Sequence, residues 1–185
     1  FFFKQKTAYE IPKRDWSSDV CSSDLEVQSL SDVPEAAADY LAQHQLPMQA
    51  VSWPEFGALD WQAHGITMDM RPAQEPDKVG VTGAFCAIAE TGTLMTLSGA
   101  DTPPTTSLLP ETHIAVLRTA QIVPAMEEAW TRLRYTYGPE NFMPRAVNFI
   151  SGPSRTADIE QTMTLGAHGP YRVHVIIVNE GGDHA

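Results

Sequence analysis

The stretch that decides the fold is His-Ile-Ala-Val-Leu at residues 113–117, an apolar run with the length and composition of a buried strand. A helix is predicted over Gln121–Tyr135, because apolar side chains recur there at helical spacing. Strands are predicted at Ala146–Ile150 and Val173–Val178, with a short helix, Ala157–Leu165, between them. This alternation indicates β-α-β units, and therefore an α/β fold of three layers around a mostly parallel sheet.

The upstream sequence adds one helix and further strands. A helix start is predicted at Ser31–Glu35, where an acidic capping residue is followed by proline in the first turn. Short strands are expected at Met48–Trp53 and near Gly65–Met70. Two more strands are expected to pair through a tight turn, and these are Ala84–Ala89 and Thr93–Leu97.

The first 25 residues differ in character from the rest. Phe1–Ile11 and Asp15–Leu25 resemble the conceptual translation of a sequencing-library adapter. We therefore expect residues 1–25 to be a non-native, disordered segment and exclude them from the fold prediction. Residues 26–185 are expected to form a single, N-terminally truncated domain that is long enough to bury a core.

Charge and cysteine content narrow the classes of function. The formal net charge is −11, and the acidic and basic residues of the first 25 cancel, so residues 26–185 carry all of it. Such a surface repels phosphate backbones and anionic lipid, which disfavours nucleic-acid and membrane partners. Cys86 is the single cysteine after residue 25, and one thiol cannot hold an iron–sulfur cluster or a zinc ion alone. These features fit a cytoplasmic protein without a metal of its own.

The segment Ser151–Glu160 is the strongest candidate for a binding site. It follows a predicted strand, and a Gly-Pro-Ser turn leads into the predicted short helix, whose first backbone N–H groups would bind an anion. Hydroxyl and guanidinium donors lie in the same turn, and ligands of open α/β sheets bind at the carboxyl ends of strands. Ordinary helix capping is the alternative, and it accounts for Thr156 and Asp158 but not for Gly152, Pro153 and Arg155 together.

Two further segments carry candidate chemistry. In Gly166–Pro170, the glycines indicate unusual backbone geometry, and His168 is either a general base or a structural residue. In the turn that begins at Glu90, glycine permits a positive φ. Glu90 itself is either a nucleophile or base, or the partner of Arg155 in an ion pair. Pro110–His113, before the next strand, is a weaker candidate.

The candidate residues fall into two groups. Catalytic candidates are Glu90 and His168. Ligand-binding candidates are Thr91, Gly92, Thr93, His113, Ser151, Gly152, Pro153, Ser154, Arg155, Thr156, Asp158, Gly166 and Gly169. The sequence contains no Gly-x-Gly-x-x-Gly, phosphate-loop, Gly-x-Ser-x-Gly or His-Glu-x-x-His motif, so nucleotide hydrolases, lipase-like esterases and zinc proteases are unsupported.

Four segments in this order resemble the LUD-domain family of lactate-utilisation proteins: Ala87–Thr93, Leu109–Ile114, Ser151–Glu160 and Gly166–Pro170. The resemblance extends from about Val79 to Val178. It implies the fold of ribose-5-phosphate isomerases, glucosamine-6-phosphate deaminases and CoA transferases. It also implies a role in bacterial oxidation of L-lactate to pyruvate, with partner proteins that carry the iron–sulfur clusters.

The resemblance leaves two hypotheses about function. In the first, the chain is a non-redox subunit that binds a small anionic metabolite and supports the oxidation complex. In the second, it is an enzyme with transferase- or isomerase-like chemistry on a CoA ester or a phosphorylated small molecule, using Glu90 or His168. Fold alone does not decide between them.

Overall fold

The computed structural model describes residues 22–138, 143–156, 164–165 and 169–179. Within these ranges there are three α-helices: α1 (Val33–Gln43), α2 (Thr105–Leu108) and α3 (Met126–Thr136). Among the same residues there are twelve strands: β1 (Ser22–Val27), β2 (Gln49–Ser52), β3 (Thr67–Met70), β4 (Val79–Thr82), β5 (Cys86–Ile88), β6 (Thr93–Leu97), β7 (Thr112–Arg118), β8 (Ile122–Val123), β9 (Val147–Ile150), β10 (Arg155–Thr156), β11 (Thr164–Leu165) and β12 (Arg172–Val178).

The central layer is a six-stranded sheet in the order β1-β12-β7-β4-β2-β3, and every neighbouring pair is parallel. Strands β7 and β12 are apolar and buried along most of their length, as expected for strands covered on both faces. Their register pairs Ile114 with His174 and Val116 with Ile176. The fold class predicted from the sequence, a three-layer α/β protein with a mostly parallel sheet, is confirmed.

Helix α1 covers one face of this sheet. Its sequence places proline in the first turn, and its buried side chains lie on one side of the helix. Tyr40 and Leu41 pack there against Ile114 and Ile176 in one apolar cluster. The predicted helix start at Ser31–Glu35 is therefore confirmed, and the helix ends at Gln43, ahead of β2.

A second sheet, in the order β8-β5-β6-β9, covers the opposite face. Strands β5 and β6 form the expected antiparallel hairpin, while β5 and β8 are parallel. Leu94 and Ile150 pack toward the parallel sheet against Leu117 and Val175. The other face of the second sheet packs against α3, which buries Leu133 there. The third layer therefore consists of a mixed sheet backed by a helix.

Two predictions for the C-terminal region are wrong. Strand β9 does not join the parallel sheet, because it pairs antiparallel with β6 in the second sheet. The helix predicted over Ala157–Leu165 is wrong at its C-terminal end, where β11 pairs antiparallel with β10. Threonine at position 164 favours extended backbone, and the periodicity of a short apolar segment cannot separate helix from strand. Residues 157–163 lie outside the described part of the chain.

The parallel sheet also uses residues that the sequence prediction excluded. Ser22–Leu25, counted with the expected disordered segment, form most of β1 and pair with β12. Backbone hydrogen bonding explains this, because an edge strand offers N–H and C=O groups to any extended segment. The sequence analysis also did not predict β4 as a strand of its own. In the described ranges, no helix is long and apolar enough to cross a membrane.

Candidate anion-binding site

The turn between β5 and β6 has the predicted geometry. Gly92 has φ 62°, in the region where a side chain is strained, so the tight turn requires glycine. Next to it, the Thr91 hydroxyl donates a hydrogen bond to the Thr93 hydroxyl at 2.8 Å. Thr93 is buried at the start of β6, whereas Thr91 is partly exposed. The turn therefore orders a pair of hydroxyl groups that extends from the core to the surface.

A third hydroxyl continues this pair from a distant segment. Thr93 Oγ1 and Ser151 Oγ are 2.8 Å apart, and either can be the donor. In the pairing of β6 with β9, Leu94 lies opposite Ile150. Thr93 and Ser151 flank this pair and therefore lie side by side. We call Thr91, Thr93 and Ser151 the hydroxyl row. It joins two of the segments that the sequence singled out.

The next turn joins a third segment. Gly152 has φ 125°, and no atom of the described residues lies within 4 Å of the place where a Cβ would stand. The backbone N–H of Ser154 donates to the carbonyl of Pro170 at 2.8 Å. A Cβ added at Gly169 would lie 3.5 Å from Cβ of Ser154. Ser151–Ser154, which includes Pro153, therefore meets the end of the Gly166–Pro170 segment.

The sequence analysis assigned anion binding to the first backbone N–H groups of a short helix, and the structure does not contain that helix start. No helix begins at Ser154–Thr156, because Arg155 and Thr156 form β10. The Ser154 N–H is occupied by Pro170, so it is not a free donor of a helix start. At this turn the described residues offer the hydroxyl groups of the hydroxyl row as donors. Of the other candidates, Asp158, Gly166 and His168 lie outside the described residues.

Glu90 has a structural partner in this arrangement. Its Oε1 accepts a hydrogen bond of 3.0 Å from the backbone N–H of Met126, the first residue of α3. The residue is exposed rather than held inside the core. A carboxylate at this place satisfies a free N–H and interacts favourably with the helix dipole. The described contacts thus give Glu90 a capping role, and its catalytic role stays a prediction.

His113 lies inside the protein, and no part of it is exposed. Its Nε2 is 2.8 Å from Oγ1 of Thr82, on the neighbouring strand. Burial lowers the pKa of His113 to about 4, so the ring is neutral at physiological pH. In this structure His113 is a fully buried core residue of the parallel sheet.

A polar network lies at the amino ends of β4, β7 and β12, and of its members the sequence analysis had named only Glu111, within Pro110–His113. Glu111 accepts hydrogen bonds from Lys78 through Oε1 and from the Tyr171 hydroxyl, at 2.8 Å, through Oε2. Hydrogen bonds from Lys78 and then Tyr171 lower the pKa of Glu111. The Glu111 carbonyl also accepts the backbone N–H groups of Tyr171 and Arg172, at 3.0 and 3.2 Å. Arg172 lies over the Tyr171 ring, with Cζ 4.5 Å from its centroid.

One signal in the sequence pointed to this network. Arg172 is a basic residue at the start of a buried strand, where an apolar residue is the usual choice. Together, the hydroxyl row, the Ser154–Pro170 contact and the Glu111 network form a continuous chain of contacts through all four segments. Among the described residues, no group of three or more His, Cys, Asp or Glu side chains is arranged to hold a metal ion.

The fold and these four joined segments define a class of α/β domain, and comparison with known proteins identifies it. The profile of the LUD domain matches residues 4–178, and the chain belongs to this family. A crystal structure of a DUF162 family protein from Deinococcus radiodurans superposes with a TM-score of 0.68 at 25% sequence identity, covering 94% of this chain and 99% of that one.

Two curated relatives extend the comparison. The chain is 33% identical over 129 residues to lactate utilization protein C of Bacillus licheniformis, which covers 69% of this chain and 54% of that protein. It is 34% identical over 130 residues to lactate utilization protein C of Bacillus subtilis, with coverage of 69% and 54%. The chain therefore spans about half the length of the curated relatives it matches.

Proposed function

We propose that this chain is a lactate-utilisation protein of the C type. In this proposal it is a non-redox subunit that supports oxidation of L-lactate to pyruvate beside iron–sulfur partner proteins. It binds a small anionic metabolite at the surface formed by the hydroxyl row and the Gly152 turn. The observation that carries the proposal is the contact of Thr93 with Ser151, because it joins family segments that are far apart in sequence.

The chemistry of this surface suits a small, oxygen-rich ligand. Ser151 is exposed at the end of the hydroxyl row, and no side chain of the described residues fills the space beside Gly152. Hydroxyl and backbone donors bind carboxylate and keto oxygens without adding charge. The positive φ of Gly152 favours glycine, which has no side chain to occupy this place. Local donors matter here, because the overall charge of −11 repels anions.

The assignment of redox chemistry to partner proteins rests on the low cysteine content of the sequence. After residue 25 the sequence has only Cys86, whereas an iron–sulfur cluster is usually held by four thiolates. Cys86 is fully buried, and burial raises its pKa to about 11, so it is a protonated core thiol. The proposal therefore places electron transfer in proteins that bind next to this one.

Binding can be tested by calorimetric titration of the purified chain with L-lactate, pyruvate and inorganic phosphate. We expect at least one of these anions to bind, and Ser151→Ala to weaken it roughly 5- to 10-fold through loss of one hydrogen bond. Ser31→Ala, an exposed serine on the other side of the parallel sheet near α1, is the matched control and should bind as wild type does. Absence of binding by all three anions would contradict the proposal.

The role in lactate oxidation needs a cellular test. In a Bacillus subtilis strain that lacks its own lactate utilization protein C, we expect this chain to restore growth on L-lactate, and Ser151→Ala to restore it less. Turnover or a covalent adduct formed by the purified chain alone would instead favour the stand-alone enzyme. In that case Glu90→Gln should abolish the adduct, which its capping role does not predict.

A further inference from the structure

Two neighbouring strands of the parallel sheet continue in opposite directions. Strand β2 is followed in this sheet by β3 on one side, whereas β4 is followed by β7 on the other side. The connection after β2 buries Phe56 and Trp61 in the cluster below α1, and the connection after β4 buries Ala84 in the cluster against the second sheet. In open α/β sheets, connections that part in this way leave a crevice at the carboxyl ends of the strands, where ligands bind.

One carboxylate reaches across this place. The backbone N–H of Trp53 donates to the carbonyl of Val81 at 3.3 Å, which extends the pairing of β2 with β4. Glu55 follows Trp53 by two residues, and Gly83 follows Val81 by two. A Cβ added at Gly83 would collide with Glu55 Oε1 and would lie 3.3 Å from its Cδ. The Glu55 carboxylate therefore extends from the first connection to the backbone of the second, and glycine at position 83 leaves room for it.

The charge of Glu55 is only weakly compensated by the described residues. Burial of the carboxylate raises the pKa of Glu55, and the positive charge of Arg118 and a backbone hydrogen bond from Gly83 only partly oppose this. Among the described residues, no lysine, arginine or histidine forms an ion pair with Glu55. The residue as a whole is exposed, so a ligand can reach it. A partly desolvated carboxylate without an ion pair favours a cationic hydrogen-bond donor.

The far side of the crevice carries the opposite charge. Arg118 is the last residue of β7, which neighbours β4 on the side away from β2. Its backbone N–H donates to Gln121 Oε1 at 2.8 Å, and Gln121 Nε2 donates to the carbonyl of Ala84 at 2.6 Å. These contacts fix the end of β7 to the connection after β4. Glu55 and Arg118 thus give this edge of the sheet a negative and a positive side, which matches a ligand with one ammonium and one carboxylate group.

We propose that this edge is a second binding site, for small α-amino acids, with Glu55 as the residue that binds the ammonium group. The positive potential at Arg118 orients the ligand carboxylate and disfavours simple amines, which lack a negative charge. The site goes beyond the proposed function and is separate from the hydroxyl row. The turn that begins at Ser151 contacts Pro170 ahead of the amino end of β12, whereas Glu55 lies at the carboxyl ends of β2 and β4.

Calorimetric titration with L-alanine tests the site, and propionate, which keeps the carboxylate but lacks the ammonium group, is the comparison ligand. Wild type is expected to bind L-alanine about 10-fold or more tightly than propionate. Glu55→Gln, which keeps the size but removes the charge, should weaken L-alanine binding about 10-fold or more, and Gly83→Ala should weaken it by displacing the carboxylate. Glu75→Gln removes one exposed negative charge ahead of the amino end of β4 and should bind L-alanine as wild type does.

Three results would overturn this inference. They are absence of L-alanine binding by wild type, unchanged L-alanine affinity in Glu55→Gln, and weaker L-alanine binding in Ser151→Ala, since the last would place the amino acid at the hydroxyl row. Glu55→Gln should leave L-lactate binding unchanged, so either site can fail without the other. Circular dichroism melting checks the fold, and Gly83→Ala provides the same comparison if Glu55→Gln does not fold.

Discussion

The two sheets of this protein differ in what they contribute. The six-stranded sheet is entirely parallel, and its central strands β7 and β12 are buried between helix α1 and the second sheet. The four-stranded sheet mixes parallel and antiparallel pairs, and the ends of its strands carry Glu90, Thr93 and Ser151. The parallel sheet holds the fold together, while the mixed sheet brings distant polar residues to one place at the surface.

The largest expected effect concerns two buried histidines that the parallel sheet contains, His113 and His174. Burial lowers the pKa of each to about 4, whereas a histidine in the unfolded chain has a pKa of about 6.5. Between these values the unfolded state binds more protons, so the free energy of unfolding falls as the pH falls. The stability is fully present above pH ~6.5, and by pH ~4 about 3 kcal/mol is lost per histidine.

Urea denaturation measured between pH 8 and pH 4 checks this expectation. In His174→Gln, the slope of stability against pH below ~6.5 should be about half that of wild type, because one of the two proton uptakes is gone. Stability between pH 7 and 8 serves as the internal reference. A His174→Gln profile parallel to that of wild type throughout would show that this histidine does not drive the acid sensitivity.

A core truncation gives the next effect. Ile114 in β7 is fully buried in the cluster below α1, so Ile114→Ala should lower the free energy of unfolding by about 3 kcal/mol. Phe149 in β9 is 39% exposed, and its ring is tilted against that of Trp130 with the centroids 5.7 Å apart, so Phe149→Ala should cost about 1 kcal/mol. Urea unfolding of both variants measures the difference. Equal losses would contradict the distinction between the two sheets.

The smallest effect tests the capping role of Glu90. Glu90→Ala removes the acceptor of the Met126 N–H and should destabilise the protein by about 1 kcal/mol, as loss of an N-cap does. Glu128→Ala removes an acidic residue from the same helix turn without breaking this hydrogen bond and should cost less than about 0.5 kcal/mol. Thermal melting distinguishes the two. A Glu90→Ala variant as stable as wild type would refute the cap.

The sequence predicted the elements of the parallel sheet because their signals are local. His113–Leu117 and Val173–Val178 are continuous apolar runs, and both are strands at nearly the predicted places. The Gly92 turn was predicted for the same kind of reason, since a tight turn between two apolar segments demands a positive φ. In these cases a few neighbouring residues contain the information that the fold uses.

The site was predicted less completely because its contacts are long-range. Nothing within Val147–Ile150 indicates that this strand pairs with β6 rather than with a parallel neighbour. Ser151 was predicted to begin a turn that leads into a helix, but in the structure its partner is Thr93. Arg172 was not considered because its setting depends on Tyr171 and Glu111, which meet only after β7 and β12 have paired. Pairing of this kind is decided by the whole chain.

The hydroxyl row can present either a donor or an acceptor at the surface. Thr91 donates to Thr93, but the proton between Thr93 and Ser151 can belong to either residue. When Thr93 donates to Ser151, the Ser151 hydroxyl is free to donate a hydrogen bond outward. When Ser151 donates to Thr93, the outward lone pairs of Ser151 can accept one. A rotation of two O–H bonds therefore switches the surface between the partner that a keto oxygen needs and the partner that an alcohol needs. If the proposed function is correct, the same three side chains offer hydrogen-bond partners to both the alcohol and the keto form of one acid.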